Sequence, residues 1–209
     1  MKKLLWTICA PVLIIFLSAC TLETPGSGPR PPRAVTLPVT GLAVSGPNGF
    51  CVDPGSIRDG QNGGFVLLGS CTGLSGGNNP SLKGKTAILT LSISGPLSPD
   101  ESFDAPSVEA FFASEAGRQA LSRSGASQTV TLIESDVQDG RLWLHARDSA
   151  PNMLAGQGDE YWRALFVLKG RLVTVTATPF DEAPMPAAGL RKLLDRFVSD
   201  LERRNRGQM

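Results

Sequence analysis

Histidine and tyrosine each occur once in the 209 residues, and aromatic residues of all kinds make up only 6%. With His145 as the lone histidine, a two-histidine metal site within one chain is excluded. Any Ser–His or Cys–His nucleophile would have to run through that one residue. The four cysteines, Cys9, Cys20, Cys51 and Cys71, contain no CxxC pair, which removes a redox dithiol or zinc knuckle of that spacing. Basic runs are scarce too: 20 Lys and Arg stand against 19 Asp and Glu, without the clustered positive charge that nucleic acid selects. The densest stretch, Arg203-Arg204-Asn205-Arg206, reads as the cationic end of a final helix. The apolar run from Leu4 to Leu17 is 14 residues long and contains Pro11, short of the roughly 20 that cross a bilayer as a helix.

Sequences that superficially match chemical motifs fail on context. Gly73-Leu74-Ser75-Gly76-Gly77 fits GxSxG, but a serine-hydrolase elbow needs a helix directly after the nucleophile, and Asn78-Asn79-Pro80 describes a loop. Gly84-Lys85-Thr86 resembles the end of a phosphate loop, yet Asn79 stands where its first glycine belongs and a strand pattern follows. Asp53, Asp59, Asp104, Glu109, Asp159 and Glu160 show no ligand spacing, and no calcium loop is present. Arg58-Asp59 reads as a loop ion pair or cap, and His145 as a surface or aromatic-packed residue sharing a strand face with Trp143 and Arg147. No catalytic residue, metal site or cofactor is therefore expected.

What the chain does have is an address. Lys2 and Lys3, the short apolar run and small residues at its end are the parts of a secretory signal. The closing Leu17-Ser18-Ala19-Cys20 resembles the cleavage box of bacterial lipoproteins. That resemblance implies cleavage before Cys20, a diacylglycerol on its sulfur and acylation of the new amino group, as by palmitate. Two or more chains anchor a protein stably in a membrane. Thr21 stands where the inner-membrane retention signal places Asp, so the expected location is the outer membrane, facing the periplasm. A retained transmembrane helix and an ordinary secretory signal with an incidental Cys20 thiol are the alternatives. Residues 1–19 are thus read as signal peptide, residues 20–37 as lipidated cysteine and linker, and residues 38–209 as one globular domain. The linker carries Pro25, Pro29, Pro31 and Pro32, a composition that favours extended backbone and a reach of up to ~50 Å. In an exported chain, Cys51 and Cys71 are read as a disulfide, with free thiols or a labile redox pair as alternatives.

From Val39 onward short apolar runs alternate with Gly, Pro, Asn and Asp, the pattern of strands and turns. Strands are expected near 39–45, 49–53, 64–70, 85–94, 127–136, 141–147, 161–168 and 171–178. Asp139-Gly140 and Lys169-Gly170 supply hairpin turns. One helix is expected from about Ser107 to Gly125. A second follows Pro184 and Pro186, with Leu190, Leu193, Leu194, Phe197 and Leu201 in one apolar stripe. The expected fold is α+β: a single domain with a mostly antiparallel sheet covered by an internal helix and a long C-terminal helix. Glu160 through Asn205, as strand, Gly-containing turn, strand and long helix ending in Asn, resembles the PsbP/Mog1-like group. Gly49-Phe50-Cys51-Val52-Asp53 with Phe65-Val66-Leu67-Leu68-Gly69-Ser70-Cys71 resembles uncharacterised alphaproteobacterial envelope lipoproteins, which implies a location and no chemistry.

Trp143, Tyr161 and Trp162, on adjacent strands, and Met153 and Leu154, in the loop 149–159, are the candidate interaction surface. The aromatics could line a pocket or an interface, but core or half-buried sheet positions are the commoner reading for them. The functional expectation is a non-catalytic, membrane-anchored envelope module that binds another protein or helps assemble a complex. A small-ligand or lipid-binding domain comes second, and an enzyme built on carboxylates or Ser75 third.

Overall fold

The computed structural model describes residues 30–77, 86–152 and 154–206. Cys20, the signal segment, most of the linker, Gly84-Lys85 and Met153 lie outside the described residues. Ten strands and four helices follow in chain order: β1 (Ala34–Thr36), β2 (Ala43–Ser45), β3 (Phe50–Val52), β4 (Arg58–Gly60), β5 (Gly63–Ser70), α1 (Cys71–Leu74), β6 (Ala87–Pro96), α2 (Ala105–Ala113), α3 (Glu115–Leu121), β7 (Val130–Gln138), β8 (Arg141–Asp148), β9 (Glu160–Leu168), β10 (Arg171–Pro179) and α4 (Ala187–Asn205). β1 and β2 form a two-stranded ribbon. The main sheet has eight strands in the order β3-β5-β6-β10-β9-β8-β7, with β4 also paired to β5. All its pairings are antiparallel. The chain is therefore an α+β domain with a long C-terminal helix, as its pattern predicted.

Both hairpin turns have a plain local cause. Asp139 and Gly140 have φ of 51° and 71°, and Lys169 and Gly170 have 49° and 67°. Positive φ at both central residues matches the right-handed twist of the strands they join. α4 buries Leu190, Leu193, Leu194, Phe197, Val198 and Leu201, and burying each such side chain stabilises the fold by about 1.5–3 kcal/mol. Its C-terminus is tied to β2 by Asn205, whose amide donates to the Ala43 carbonyl (2.8 Å) and accepts from the Ala43 N–H (3.0 Å). No helix among the described residues is long and apolar enough to cross a membrane.

Three boundaries differ from expectation. The fold begins before residue 38: β1 lies within the segment read as linker, and Leu37 is in the core. The strand expected at 39–45 shortens to β2 because residues 37–42 turn, with Leu37 N–H donating to Leu42 and Gly41 N–H to Leu37. The single helix expected from Ser107 is two. Asp104 caps α2 by accepting from the Ser107 N–H at 3.1 Å, and Pro106 sits in the first turn. Ser114 then donates to the Phe111 carbonyl and accepts from the Gly117 N–H, ending one helix and capping the next. A Cβ at Gly117 would lie 2.0 Å from the Phe111 oxygen, so only glycine permits this tight corner.

Cys51 and Cys71 are joined in a disulfide with Cα atoms 4.8 Å apart. It links β3 to the start of α1, where the chain leaves β5. The core has two parts. On one face of the sheet, α4 and the β1–β2 ribbon pack on Val66, Leu68, Leu89, Leu91, Val173, Val175, Trp162 and Phe166. On the other, α2 and α3 pack over the β7–β9 end, against Leu142, Leu144 and Leu165, with Leu172 of β10 at the edge of that cluster.

Candidate functional site

Strand register shows what the partly covered face carries. One row crosses the sheet as Leu144, Arg163, Thr176, Thr90 and Leu67, and the next as Leu142, Leu165, Thr174, Ser92 and Phe65. The leucines of β8 and β9 lie beneath α2 and α3. Where that cover stops, the residues change to threonine and serine on β10 and β6, then to Phe65 and Leu67 on β5. A cleft of about 570 Å³ lies over the half that the described helices leave uncovered, within the size range of small-molecule sites. Its floor includes Phe65, Leu67, Ile88, Thr90, Thr174, Thr176 and Thr178, and Tyr161, Arg163, Leu121, Arg123, Leu154 and Gln157 also line it.

One rim is the loop 149–159, held by a buried charge. Asp148 is fully inaccessible and accepts from the backbone N–H groups of Arg123 (2.7 Å) and Ala150 (3.0 Å). Burial alone pushes its carboxyl up, but these two donors and the nearby guanidinium outweigh it and hold it below the ordinary carboxylate range. The Arg123 guanidinium also donates to the carbonyls of Asp148 and Ala150, and Asn152 donates to the Gln157 carbonyl and to Asp159. Leu154, at the loop's edge, is 41% exposed. Sequence reasoning missed Arg123 and Asp148. They lie 25 residues apart in no local pattern.

Two of the expected surface residues belong to the opposite face. Trp143 and Trp162 are buried beneath α4, with the Arg191 guanidinium 3.8 Å from the Trp143 ring centre and 5.0 Å from that of Trp162. Tyr161 is buried as well, on the cleft side. All three are buried, the commoner reading for such sheet aromatics: alternation along β8 and β9 turns Trp143 and Trp162 into the packed layer under α4 and Tyr161 toward the cleft that it helps line. Of that set, Leu154 alone is described and exposed.

His145 is aromatic-packed: its ring stacks on Trp162 with centroids 4.7 Å apart, and Nε2 lies 2.7 Å from Glu160 Oε1. Glu160 also accepts from Arg147 at 2.9 Å. That hydrogen bond, opposed by partial burial and aided by His145, holds Glu160 below its usual range, so the ionised carboxylate makes Nε2 the donor. Ser75 is exposed, donates to the Cys71 carbonyl at 2.8 Å, and follows the one-turn α1 instead of preceding a helix.

The remaining carboxylates mostly serve the backbone. Asp53 accepts from Gly55 N–H, Asp104 caps α2, and Asp59 accepts from the Val39 and Thr40 N–H groups at 2.7 and 2.9 Å. Arg58 donates instead to the Gly55 and Ile57 carbonyls. Among the described residues, no group of three or more His, Cys, Asp or Glu could hold a metal ion.

The cleft offers one chemical asymmetry. The Tyr161 hydroxyl is buried without a hydrogen-bond partner, and burial pushes its pKa up. The indole N–H groups of Trp143 and Trp162 are unpartnered too, but within the packed layer under α4. Arg163 is half-buried, its guanidinium 5.0 Å from the Tyr161 ring centre and its Nε donating to Thr176 at 3.2 Å.

No family model matches the chain, and no curated protein matches it. Among solved structures, the solution structure of cyanobacterial PsbP (CyanoP) from Synechocystis sp. PCC 6803 is similar over 83% of this chain and 93% of that one, at 16% identity and a TM-score of 0.45.

Proposed function

We propose that the chain is a non-catalytic binding module, held to the cell envelope by lipid on Cys20, that takes a small ligand in the cleft over β5, β6, β10 and β9. The observation behind this is the unequal cover of the sheet. α4 and the β1–β2 ribbon pack on one face, while α2 and α3 stop at β9 and leave a lined cleft beside them. A protein-binding role, first on sequence grounds, rests on the anchor, the spacer and the absent catalytic motifs, and of its candidate contact residues Trp143, Tyr161 and Trp162 are buried while Leu154 is exposed. No assembled nucleophile, base and oxyanion donors accompany the cleft among the described residues, which favours binding over catalysis.

Mass spectra of the chain isolated without delipidation test the reading. A non-covalent adduct of small-molecule mass is expected, and Thr90→Arg, which fills the cleft floor, should abolish it. Bare protein in every preparation, with a stoichiometric protein partner co-isolating equally with wild type and Thr90→Arg, would overturn it. Blocked processing on Cys20→Ser tests the anchor separately.

A further inference from the structure

We infer that the cleft selects a single-chain anionic amphiphile, a carboxylate head on an unbranched apolar tail, with Arg163 and Tyr161 at the head and Phe65 and Leu67 along the tail. This rests on the ligand-binding reading and adds the ligand's class.

The head end follows from two side chains on one strand. Arg163 is half-buried and touches the Tyr161 ring and the Thr176 hydroxyl, with no carboxylate partner among the described residues. A guanidinium drawn partly out of water without a counter-charge is costly, and its planar fork matches a carboxylate in two parallel hydrogen bonds. Two positions earlier on the same face of β9, Tyr161 is 4% exposed and its hydroxyl lacks a partner. Buried hydroxyls are nearly always hydrogen-bonded, and a carboxylate oxygen would accept from it. The other guanidinium of the cleft, Arg123, is already paired with Asp148 and Asp159, so the uncompensated charge sits at Arg163.

The tail end follows from register. From Arg163 the row runs through Thr176 and Thr90 to Leu67, three strand spacings and so about 14 Å. Along it the surface passes from cation and phenol, over threonines, to leucine with Phe65 beside it. A head-and-tail molecule laid across the strands meets each zone with matching chemistry. A compact polar ligand would leave the β5 end unused, and a cation would meet Arg163.

The test uses the full chain in nanodiscs and a decanoic acid carrying a terminal diazirine, with the labelled residues mapped by mass spectrometry. Competition is measured with decanoate, its methyl ester and decyltrimethylammonium. Label on β5 and β6 is expected, displaced by decanoate and at least tenfold less well by the other two. Competition should strengthen about fourfold per methylene from octanoate upward, until the tail outgrows the cleft. Arg163→Gln should weaken decanoate about tenfold or more and leave the ester unchanged. Arg163→Lys should recover part of the loss, and Tyr161→Phe should cost about threefold or more. Equal competition by all three amphiphiles, unaffected by Arg163→Gln in a variant that melts like wild type, would overturn the head assignment and leave ligand binding standing. Absence of saturable label on β5, β6, β9 and β10 would overturn both.

Discussion

The two faces of the main sheet are built from the same strands and end in different states. Beneath α4, alternate residues of β5, β6, β10 and β9 are Val66, Leu68, Leu89, Leu91, Val173, Val175, Trp162 and Phe166, all packed in one core. Their neighbours facing the other way are Phe65, Leu67, Thr90, Ser92, Thr174, Thr176 and Arg163, lining an open cleft. A period-two strand commits every second residue to the opposite face, so the same hairpins that secure the fold also present the cleft. Stability is concentrated on the α4 side, and the cleft side is free to carry chemistry that a core would not tolerate.

The largest effect that would sharpen this contrast is a core truncation. Phe197→Ala on α4 should cost about 3–5 kcal/mol in urea unfolding, and Leu67→Ala in the cleft about 1 kcal/mol. Equal losses would erase the distinction. Removing the disulfide with Cys51→Ser and Cys71→Ser together should cost about 3 kcal/mol, read as a lower melting temperature. Alkylation of both cysteines in denatured but unreduced protein would show that the bridge does not form. Asn205→Ala should cost about 1–3 kcal/mol, since it leaves the Ala43 N–H and carbonyl without their amide partner.

Acid should act through the rim of the cleft. The folded Asp148 carboxyl lies below its ordinary value of 3.8, so its contribution is fully present above that pH and is lost as pH falls from there through the folded value. Glu160, also lowered, adds in the same direction. Urea midpoints measured from neutral pH downward should therefore fall on acidification, and Asp148→Asn should flatten that fall while lowering stability at neutral pH. A midpoint that rises with acid would contradict the assignment.

Much of the scaffold was legible in the residues. The stripe Leu190, Leu193, Leu194, Phe197, Leu201 gave α4 its buried side, and Asp139-Gly140 and Lys169-Gly170 gave the hairpins. Alternation divided Trp162, Ala164 and Phe166 from Arg163 and Leu165, as the structure has it. What alternation cannot say is which face a helix will cover, so it leaves open whether Trp143, Tyr161 and Trp162 sit in the core or line a pocket or interface. The cleft had a signal of its own in Val173-Thr174-Val175-Thr176-Ala177-Thr178, where one face is aliphatic and the other carries hydroxyls. Arg123 with Asp148 was invisible because tertiary packing alone brings them together. β1 was hidden by the prolines before it, and the corner at Ser114 by side-chain bonds to backbone that no periodicity reports.

The most direct measurement places a photoreactive p-benzoylphenylalanine at Leu67, in the cleft, or at Lys192, exposed on α4, and compares what each captures in living cells. The account predicts a small-molecule adduct at position 67, with no shift to a larger protein band, and no specific product at position 192. A specific protein crosslink at position 192 with nothing captured at position 67 would contradict it.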